Sequence, residues 1–274
     1  MAAYDPSTIK ALILDMDGVL WREDEPIGDL AGIFARIRSL GWQVSLATNN
    51  TTRSVDQYLD KLRRFGVMLE AWQIVTSAHA ALRYLQQHFP QGGKIFLIGE
   101  KALEEILAEN GFINSAEDAL AVIVSMDRYC TYEKLSRATL LVRAGAPLLA
   151  TNPDKTFPTP EGLVPGTGAL LAAVVAASGA EAIITGKPEP VMYQIAMERM
   201  HSNPASTLVV GDRLETDIIG AQRIGCRTGL VLSGVTSPQA YQEWLAASQA
   251  AQCRPDWVTD DLESLLRRFA PETP

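Results

Sequence analysis

Short runs of β-branched and leucine residues alternate with stretches of helical periodicity along most of this chain. Strand-like runs lie at 10–15, 42–49 and 206–212, and apolar residues recur at helical spacing over 29–41 and 54–66. Strands that alternate with helices are typical of α/β proteins with parallel sheets. The pattern therefore predicts an α/β fold that opens with a right-handed βαβ unit.

Two segments depart from this alternation. The longest uncharged stretch, 162–180, is interrupted by Pro165 and Gly166, and its apolar part is too short to cross a bilayer, so we predict a buried helix there. The stretch 152–168 holds four prolines and follows neither a helical nor a strand period. We predict a long loop for it, and loops of that length inside compact domains are usually either functional or disordered.

Composition narrows the class of protein. With 274 residues, of which 47% are hydrophobic, the chain is long enough for two domains with cores of their own. A net charge of -8 and a pI near 5.0 argue against nucleic acid or an anionic membrane as a partner and favour a bound cation. Cys130, Cys226 and Cys253 lack ligand-like spacing, which predicts reduced thiols. Since no targeting segment is visible after Lys10, a cytoplasmic location is expected.

Polar residues at the ends of the predicted strands carry the candidate chemistry. The carboxyl ends of parallel strands meet at one edge of a sheet, where helix N-termini add partial positive charge. We therefore expect the residues that follow the strands to form one cluster at one sheet edge. Its expected members are Asp15, Asp17, Thr48, Asn49, Asn50, Lys187, Asp212 and Asp217.

This set matches what phosphoryl transfer through a carboxylate requires. A carboxylate that attacks a phosphate dianion meets like-charge repulsion, which a divalent cation and a lysine offset. Asp15 is the candidate nucleophile that forms an aspartyl-phosphate. Asp17, on a turn that Gly18 permits, is the candidate proton donor to the leaving group and then acceptor from water. The carboxylates of Asp15 and Asp212 and the main-chain carbonyl of Asp17 would form an oxygen cage suited to Mg²⁺.

Each of these elements also has a plainer interpretation. An isolated Asp-x-Asp-Gly at a strand end is often a turn whose aspartate stabilises its own backbone. Thr48 and Asn49 alone fit a helix-entry turn, and Lys187 alone fits a solvated surface residue. The acidic residues of 212–217 fit the first turn of a helix. Four such elements in a consistent order at successive strand ends favour the catalytic interpretation.

The segments that carry these residues resemble a known family. DMDGVLW, ATNNTTR, TGKPEP and VVGDRLETDI are similar to the four motifs of the haloacid dehalogenase-like phosphohydrolases. The segment ATNPDKTFPTPEGLVPGTGAL and the overall length resemble the subgroup of NagD-like and 4-nitrophenylphosphatase-like enzymes. The resemblance covers nearly the whole chain. It implies a Rossmann-like catalytic core, residues 1–78 and 186–274, with an α/β cap domain inserted at 79–185.

The resemblance also implies a role for each matched residue. Asp15 matches the nucleophile, Asp17 the acid/base and Lys187 the third-motif lysine, which serves catalysis and phosphate binding. The hydroxyl that binds the transferring phosphoryl group is implied at Thr48, with Asn49 beside it. The full implied phosphate-binding set is Thr48, Asn49, Asn50 and Lys187, and the full implied metal set is Asp15, Asp17, Asp212 and Asp217, the last as its outer acidic residue.

A specificity loop in the cap is implied as well. In the resembled subgroup the corresponding segment hangs over the phosphate site, which here points to Asp154, Lys155 and Phe157 as contacts for the leaving group. Pyridoxal phosphatases of the subgroup carry a histidine near the position of Phe157. Pyridoxal phosphate is therefore disfavoured as the substrate.

These inferences favour a Mg²⁺-dependent phosphomonoesterase. The expected substrate is a small phosphorylated metabolite, such as a sugar phosphate or a nucleoside monophosphate, with 4-nitrophenyl phosphate as a generic substrate. A phosphotransferase that passes the same aspartyl-phosphate to a sugar hydroxyl stays open as an alternative. So does a non-enzymatic receiver-type phospho-switch, although it needs neither Asp17 as a proton donor nor so long an insertion. Similar proteins commonly form homodimers through the cap, so a homodimer is also an open expectation.

Overall fold

The computed structural model of the protein describes residues 8–159, 161–246 and 253–269. These residues form two compact units. Unit 1 comprises the described residues within Met1–Thr48, Val55–Val75 and Tyr193–Pro274, and unit 2 comprises those within Asn49–Ser54 and Thr76–Met192. Each unit is built on a parallel sheet of its own with helices, which confirms the predicted α/β fold class. The resemblance implies a cap inserted into the core at 79–185, and these boundaries stay a prediction.

The sheet of unit 1 has six strands in the order β15-β14-β13-β1-β4-β5. Its strands are β1 (Ala11–Leu14), β4 (Gln43–Thr48), β5 (Ile74–Thr76), β13 (Thr207–Gly211), β14 (Arg227–Val231) and β15 (Trp257–Thr259). Strand β1 pairs in parallel with β13 on one side and β4 on the other, and all its residues are buried. A strand flanked on both edges and covered on both faces favours an unbroken apolar run, which is what Ala11–Leu14 supplies.

Helices cover this sheet, and a short hairpin follows its central strand. The helices of unit 1 are α1 (Leu30–Ser39), α2 (Val55–Arg64), α8 (Ile219–Gln222), α9 (Pro238–Ala246), α10 (Leu262–Arg267) and all of α7 (Val191–Arg199) from Tyr193 onward. The hairpin pairs β2 (Trp21–Arg22) with β3 (Glu25–Pro26) in antiparallel register. Helix α1 shows how the periodicity acts, because Leu30, Ile33, Phe34 and Ile37 lie on one face and are all buried.

Unit 2 has a five-stranded parallel sheet in the order β12-β9-β8-β6-β7. Its strands are β6 (Gly93–Ile98), β7 (Phe112–Asn114), β8 (Val122–Val124), β9 (Leu148–Ala150) and β12 (Ala182–Ile184). Its helices are α3 (Ser77–His88), α4 (Lys101–Ala108), α5 (Tyr132–Arg143) and α6 (Thr167–Ser178). Two apolar clusters of buried residues surround the sheet, one including Leu97 and Ile123 and the other Ile98 and Val124.

The proline-rich stretch of unit 2 is partly ordered as a hairpin, so the prediction of a loop without strand structure was wrong. Strands β10 (Thr156–Thr159) and β11 (Gly162–Pro165) pair in antiparallel register, with Phe157 opposite Val164. Proline cannot donate to a ladder, but it is tolerated in the edge strands of a two-stranded ribbon. Phe157 and Val164 supply the aromatic and β-branched pair that favours such a ribbon.

The apolar helix predicted after this hairpin is present as α6, but only one face of it is buried. Thr167, Leu171 and Val174 are buried, whereas Ala172 and Ala173 are exposed. The sequence of this helix is apolar on all sides because small alanines occupy its outer face, yet only the inner face packs against the rest of unit 2. The described helices include none that combines the length and hydrophobicity needed to cross a membrane.

Candidate active site

Asp15 lies at the carboxyl end of the central strand of unit 1. Its N–H donates to the carbonyl oxygen of Val210 at 2.9 Å, which continues the pairing of β1 with β13 for one residue beyond the strand. The side chain is half-buried. Because β1 lies between β13 and β4, Asp15 has the ends of both neighbouring strands beside it, which carry Asp212 and Thr48.

A tight loop carries Asp17 away from the strand. Gly18 has φ +84°, a left-handed conformation that favours glycine, and its N–H donates to the carbonyl oxygen of Trp21 at 2.7 Å. Leu20 N–H donates to the carbonyl oxygen of Met16 at 2.8 Å and closes the turn. The side chain of Asp17 is exposed, and its Oδ1 accepts from Trp21 Nε1 at 2.9 Å. The turn interpretation of this motif is therefore correct for the backbone, and the Asp17 carboxylate accepts from the side chain of Trp21 in the same loop.

Asp212 is buried at the end of β13 in a tight backbone cradle. Its Oδ2 accepts from Val235 N–H at 2.6 Å. A Cβ atom on Gly234 would lie 1.9 Å from that oxygen, and one on Gly18 would lie 2.3 Å from it. No real Cβ contact is that short, so both positions require glycine for Asp212 to keep its place.

Asp217 is held by a π-helical turn that follows Asp212. The turn spans Leu214–Ile218, and Asp217 Oδ2 accepts from Arg213 N–H at 3.1 Å. Tyr193 Oη donates toward the carbonyl oxygens of Thr216 and Asp217 at 3.0 and 3.2 Å, which ties α7 to the turn. Turns of this kind are rare and occur often at functional sites.

Three carboxylates converge at this edge of the sheet. Ligand oxygens of Asp15, Asp212 and Asp217 all lie within 4.8 Å of one another, and the last two residues are buried. Hard carboxylate oxygens are the ligands that Mg²⁺ prefers, and a site with few protein ligands leaves positions for water and phosphate. The donor set therefore fits a magnesium ion, and two of its three members were predicted as ligands from strand ends alone.

The residues after β4 divide between the two units. Thr48, the last residue of β4, is buried in unit 1, whereas Asn49 and Asn50 belong to unit 2. Asn50 Oδ1 accepts from the N–H and the hydroxyl of Thr52 at 2.9 and 2.8 Å, an Asx-type turn. The phosphate-binding roles of these three residues stay predictions.

Lys187 follows a strand of the other sheet. It comes after β12, which pairs with β9 in unit 2, so the expectation that all these residues follow strands of one sheet was wrong. The same alternation of strand and helix runs through both units, and it cannot show which sheet a strand joins. Lys187 is also buried, which excludes the alternative of a solvated surface lysine.

Asn49 clamps the backbone at Lys187. Its Nδ2 donates to the carbonyl oxygen of Lys187 at 3.0 Å, and its Oδ1 accepts from Lys187 N–H at 2.9 Å. The backbone of Asn49 is held in turn, because its carbonyl oxygen accepts from Ser77 Oγ at 2.8 Å and from Asn152 Nδ2 at 3.0 Å. The amide of Asn49 thus positions the lysine, a function that its sequence motif did not reveal.

The three residues of the expected specificity loop lie at the base of the β10–β11 hairpin. Asp154 precedes the hairpin, and its carbonyl oxygen accepts from Gly168 N–H at 2.8 Å. The carbonyl oxygen of Lys155 accepts from Gly166 N–H at 2.9 Å, and its side chain is exposed. Phe157 lies on β10 and is half-buried. Their role in selecting a substrate stays a prediction.

Known proteins are similar to this chain over most of its length. A family model described as haloacid dehalogenase-like hydrolase matches residues 12–113, and a second, described as HAD-hydrolase-like, matches residues 184–265. The chain is 32% identical to the 5'-nucleotidase YutF of Bacillus subtilis over 229 residues. These residues make up 84% of this chain and 89% of that protein. It is 31% identical to the acid sugar phosphatase of Staphylococcus saprophyticus, over 85% of this chain and 90% of that protein.

Solved structures show the same fold. The p-nitrophenyl phosphatase from Archaeoglobus fulgidus superposes with a TM-score of 0.88 at 28% identity, over 95% of this chain and 99% of that one. The glycerol phosphate phosphatase Rv1692 from Mycobacterium tuberculosis, solved in complex with magnesium, gives 0.85 at 31% identity, over 96% of this chain and 78% of that one.

These similarities establish the family. The chain belongs to the haloacid dehalogenase-like hydrolases, in the subgroup of the NagD-like and 4-nitrophenylphosphatase-like enzymes. The resemblance read from the sequence motifs is confirmed. So is the predicted enzyme class, a phosphatase.

One segment of the site was missed from the sequence. Residues 233–235 follow β14, where Val235 donates to Asp212 and Ser233 Oγ donates to the carbonyl oxygen of Gly18 at 2.7 Å. The signal was present, because this Leu-Ser-Gly stretch also ends a strand that neighbours β13. It offers backbone N–H groups rather than reactive side chains, which a search for side-chain chemistry passes over.

Replacing Asn49 by Ala should impair the site through Lys187. The change removes two hydrogen bonds to a buried segment, which costs about 1–3 kcal/mol of stability, and it frees the lysine backbone to move. We expect hydrolysis of 4-nitrophenyl phosphate to fall by about 10-fold, because a loss of about 1.4 kcal/mol of transition-state stabilisation slows a reaction tenfold. Steady-state kinetics and thermal melting measure the two effects.

Asn114→Ala is the matched control for this variant. Asn114 also lies in unit 2, and its Oδ1 accepts from Leu97 N–H at 3.1 Å. It should cost stability without a comparable loss of turnover. Equal losses of turnover in both variants would show that Asn49 acts only through general stability.

Proposed function

We propose that this phosphatase is a Mg²⁺-dependent phosphomonoesterase that hydrolyses a small-metabolite phosphate through an aspartyl-phosphate on Asp15. The observation that carries the proposal is the convergence of Asp15, Asp212 and Asp217 within 4.8 Å at the end of the central strand. Three carboxylates that close repel one another strongly, so a cluster of this kind favours a divalent cation. Only Asp15 of the three is half-exposed, as a nucleophile must be.

The metal would be held by Asp15, Asp212 and Asp217, with the main-chain carbonyl of Asp17 as a further oxygen ligand. Bound there, Mg²⁺ would offset the negative charge shared by the attacking carboxylate and the phosphoryl oxygens. The buried pair Asp212 and Asp217 would anchor it, since backbone N–H groups fix one oxygen of each.

The chemistry itself would use the chain's own groups. A carboxylate oxygen of Asp15 attacks phosphorus, the bond to the leaving oxygen breaks, and Asp17 delivers a proton to that oxygen. Asp17 then takes a proton from water as the water attacks the aspartyl-phosphate and releases inorganic phosphate. Lys187 and Thr48 would bind the phosphoryl oxygens, with Asn49 and Asn50 beside them.

The substrate class is proposed from the chemistry and the relatives together. Nucleotidase and sugar phosphatase relatives support a nucleoside monophosphate or a sugar phosphate. Asp154, Lys155 and Phe157 would contact the part of the substrate remote from phosphorus, where one charge of each sign and one aromatic ring permit discrimination. A cytoplasmic location and a homodimer belong to the same proposal.

The alternatives differ in the fate of the phosphoryl group. A phosphotransferase would deliver it to a sugar hydroxyl instead of water, and a receiver-type switch would retain it. The phosphatases among the relatives support hydrolysis. Release of one inorganic phosphate per leaving group, measured with and without added sugars, separates the three outcomes.

Asp15→Asn should abolish turnover while the fold survives. A neutral amide cannot form the acyl phosphate, so hydrolysis of 4-nitrophenyl phosphate should fall by at least about 10³-fold. Mass spectrometry of acid-quenched wild-type enzyme should show a phosphoryl adduct on the peptide containing Asp15 and none in the variant. Substantial turnover by the variant would refute the nucleophile assignment.

Removal of divalent cations should abolish activity, and Mg²⁺ should restore it. Ca²⁺ should support little turnover, because it takes more ligands at longer distances and imposes no octahedral geometry. Calorimetric titration of Mg²⁺ into the cation-free enzyme gives a readout independent of turnover, and Asp212→Asn should weaken that binding. Full activity in excess chelator would contradict the proposal.

Asp17→Asn should slow substrates with poor leaving groups most. An alkoxide or phenolate needs protonation as it departs, whereas 4-nitrophenolate needs little. We therefore expect a loss of about 10²-fold or more on phenyl phosphate and sugar phosphates and a clearly smaller one on 4-nitrophenyl phosphate. The ratio of kcat/KM values measures the effect, because kcat/KM reports the step in which the leaving group departs and not the later hydrolysis of the aspartyl-phosphate, which all substrates share. An equal loss on every substrate would assign Asp17 to the metal site or the backbone instead.

A further inference from the structure

An indole donates a hydrogen bond to the exposed carboxylate that the proposed function uses as its acid and base. Trp21 Nε1 lies 2.9 Å from Asp17 Oδ1, and the two residues also form a backbone bridge across the tight loop. Trp21 is 1% exposed. A buried, immobile donor thus holds a carboxylate that is itself exposed to solvent.

The Trp21 ring is itself held in place by a cation and by neighbouring aromatic rings. Lys61 Nζ from α2 lies 4.3 Å from the ring centroid, and the rings of Tyr58 and Phe65 lie 6.4 and 6.2 Å away. A cation placed over an indole face in a desolvated site contributes about 2 kcal/mol. The ring therefore has little freedom to turn its N–H away from Asp17.

Lys61 also holds the hairpin that carries Trp21. It is 1% exposed, donates to the carbonyl oxygen of Glu23, and lies 3.4 Å from Asp24 Oδ1. Glu23 and Asp24 form the turn between β2 and β3, and Glu23 has φ +52°, a conformation that a glutamate seldom adopts without support. A buried ammonium is costly unless such groups surround it, so its position here is specific.

From this arrangement we propose that Trp21 is a positioning residue that orients the carboxyl group of Asp17 for proton transfer, with Lys61 holding the indole in place. The inference rests on the proposed function, since it presupposes Asp17 as the acid and base. The indole N–H occupies Oδ1 as a donor, so the transferred proton resides on Oδ2. Without that bond an exposed aspartate samples several rotamers, and only a fraction of them presents Oδ2 to the leaving oxygen.

Trp21→Phe tests the inference because it removes the N–H and keeps an aromatic ring beside Lys61. We expect kcat/KM on phenyl phosphate, which reports departure of the leaving group, to fall by about 10-fold, a part of the 10²–10⁴-fold that a positioned acid contributes. The loss of kcat/KM on 4-nitrophenyl phosphate should be less than about 3-fold. Lys61→Met should shift the ratio of the two kcat/KM values in the same direction.

Trp42→Phe is the matched control. Trp42 packs against the same hydrophobic cluster as Trp21 and against the ring of Phe269, at 5.1 Å between centroids. It should lower the melting temperature without changing the ratio of kcat/KM on the two substrates. This separates loss of packing from loss of the hydrogen bond.

A double-mutant cycle completes the test. If Trp21 acts through Asp17, adding Trp21→Phe to Asp17→Asn should cause no further loss on phenyl phosphate. The inference is overturned if Trp21→Phe slows both substrates equally, or if its effect persists in the Asp17→Asn background. If Asp17→Asn loses more activity on poor leaving groups than on good ones and Trp21→Phe does not, the positioning role of Trp21 is refuted and the acid/base role of Asp17 stands. If Asp17→Asn loses equal activity on both kinds of substrate, the acid/base role is refuted, and the inference about Trp21 with it.

Discussion

Electrostatic repulsion among three carboxylates is the constraint around which unit 1 is arranged. Two unit charges 4 Å apart repel by about 1 kcal/mol in water and about 4 kcal/mol near a protein surface. Ligand oxygens of Asp15, Asp212 and Asp217 lie within 4.8 Å of one another, a comparable separation, and two of these residues are buried. Backbone donors that fix the carboxylates reduce this repulsion, and the neighbouring loops provide such N–H groups.

The loops that meet this need are short and closely interlocked. Val235 and Arg213 donate to the two buried aspartates, and Ser233 ties its own segment to Gly18. Arg22 Nε donates to the carbonyl oxygen of Ser233 at 2.7 Å, so the β2–β3 hairpin is joined to the same segment. The elements that hold the buried aspartates and those that hold Asp17 therefore share one hydrogen-bonded framework, which makes their geometry mutually dependent.

The sequence predicted the fold class and the grouping of acidic residues, but not the hydrogen-bonded framework beneath them. The alternation of strands and helices predicted the α/β class, and positions at strand ends predicted that Asp15 and Asp212 lie close together, because both signals reside in single residues and their spacing. The clamp of Asn49 on Lys187 joins residues 138 positions apart, and it depends on which sheet β12 enters. Periodicity contains no such information. The β10–β11 hairpin was hidden for a different reason, since its prolines masked the pairing of Phe157 with Val164.

The order of the strands along the chain has a consequence for how the protein is made. Strand β1 pairs with β13, so that Ala11 lies opposite Thr207, whereas every residue of unit 2 precedes Tyr193. During synthesis, therefore, the whole of unit 2 leaves the ribosome before the central sheet of unit 1 can receive its second strand on that side. Domains generally fold as units as they emerge. Strand β4 has both of its neighbours, β1 and β5, by then, but the apolar strand β1 must wait with one edge unpaired, and an unpaired strand edge of this kind exposes a nascent chain to aggregation and to chaperones.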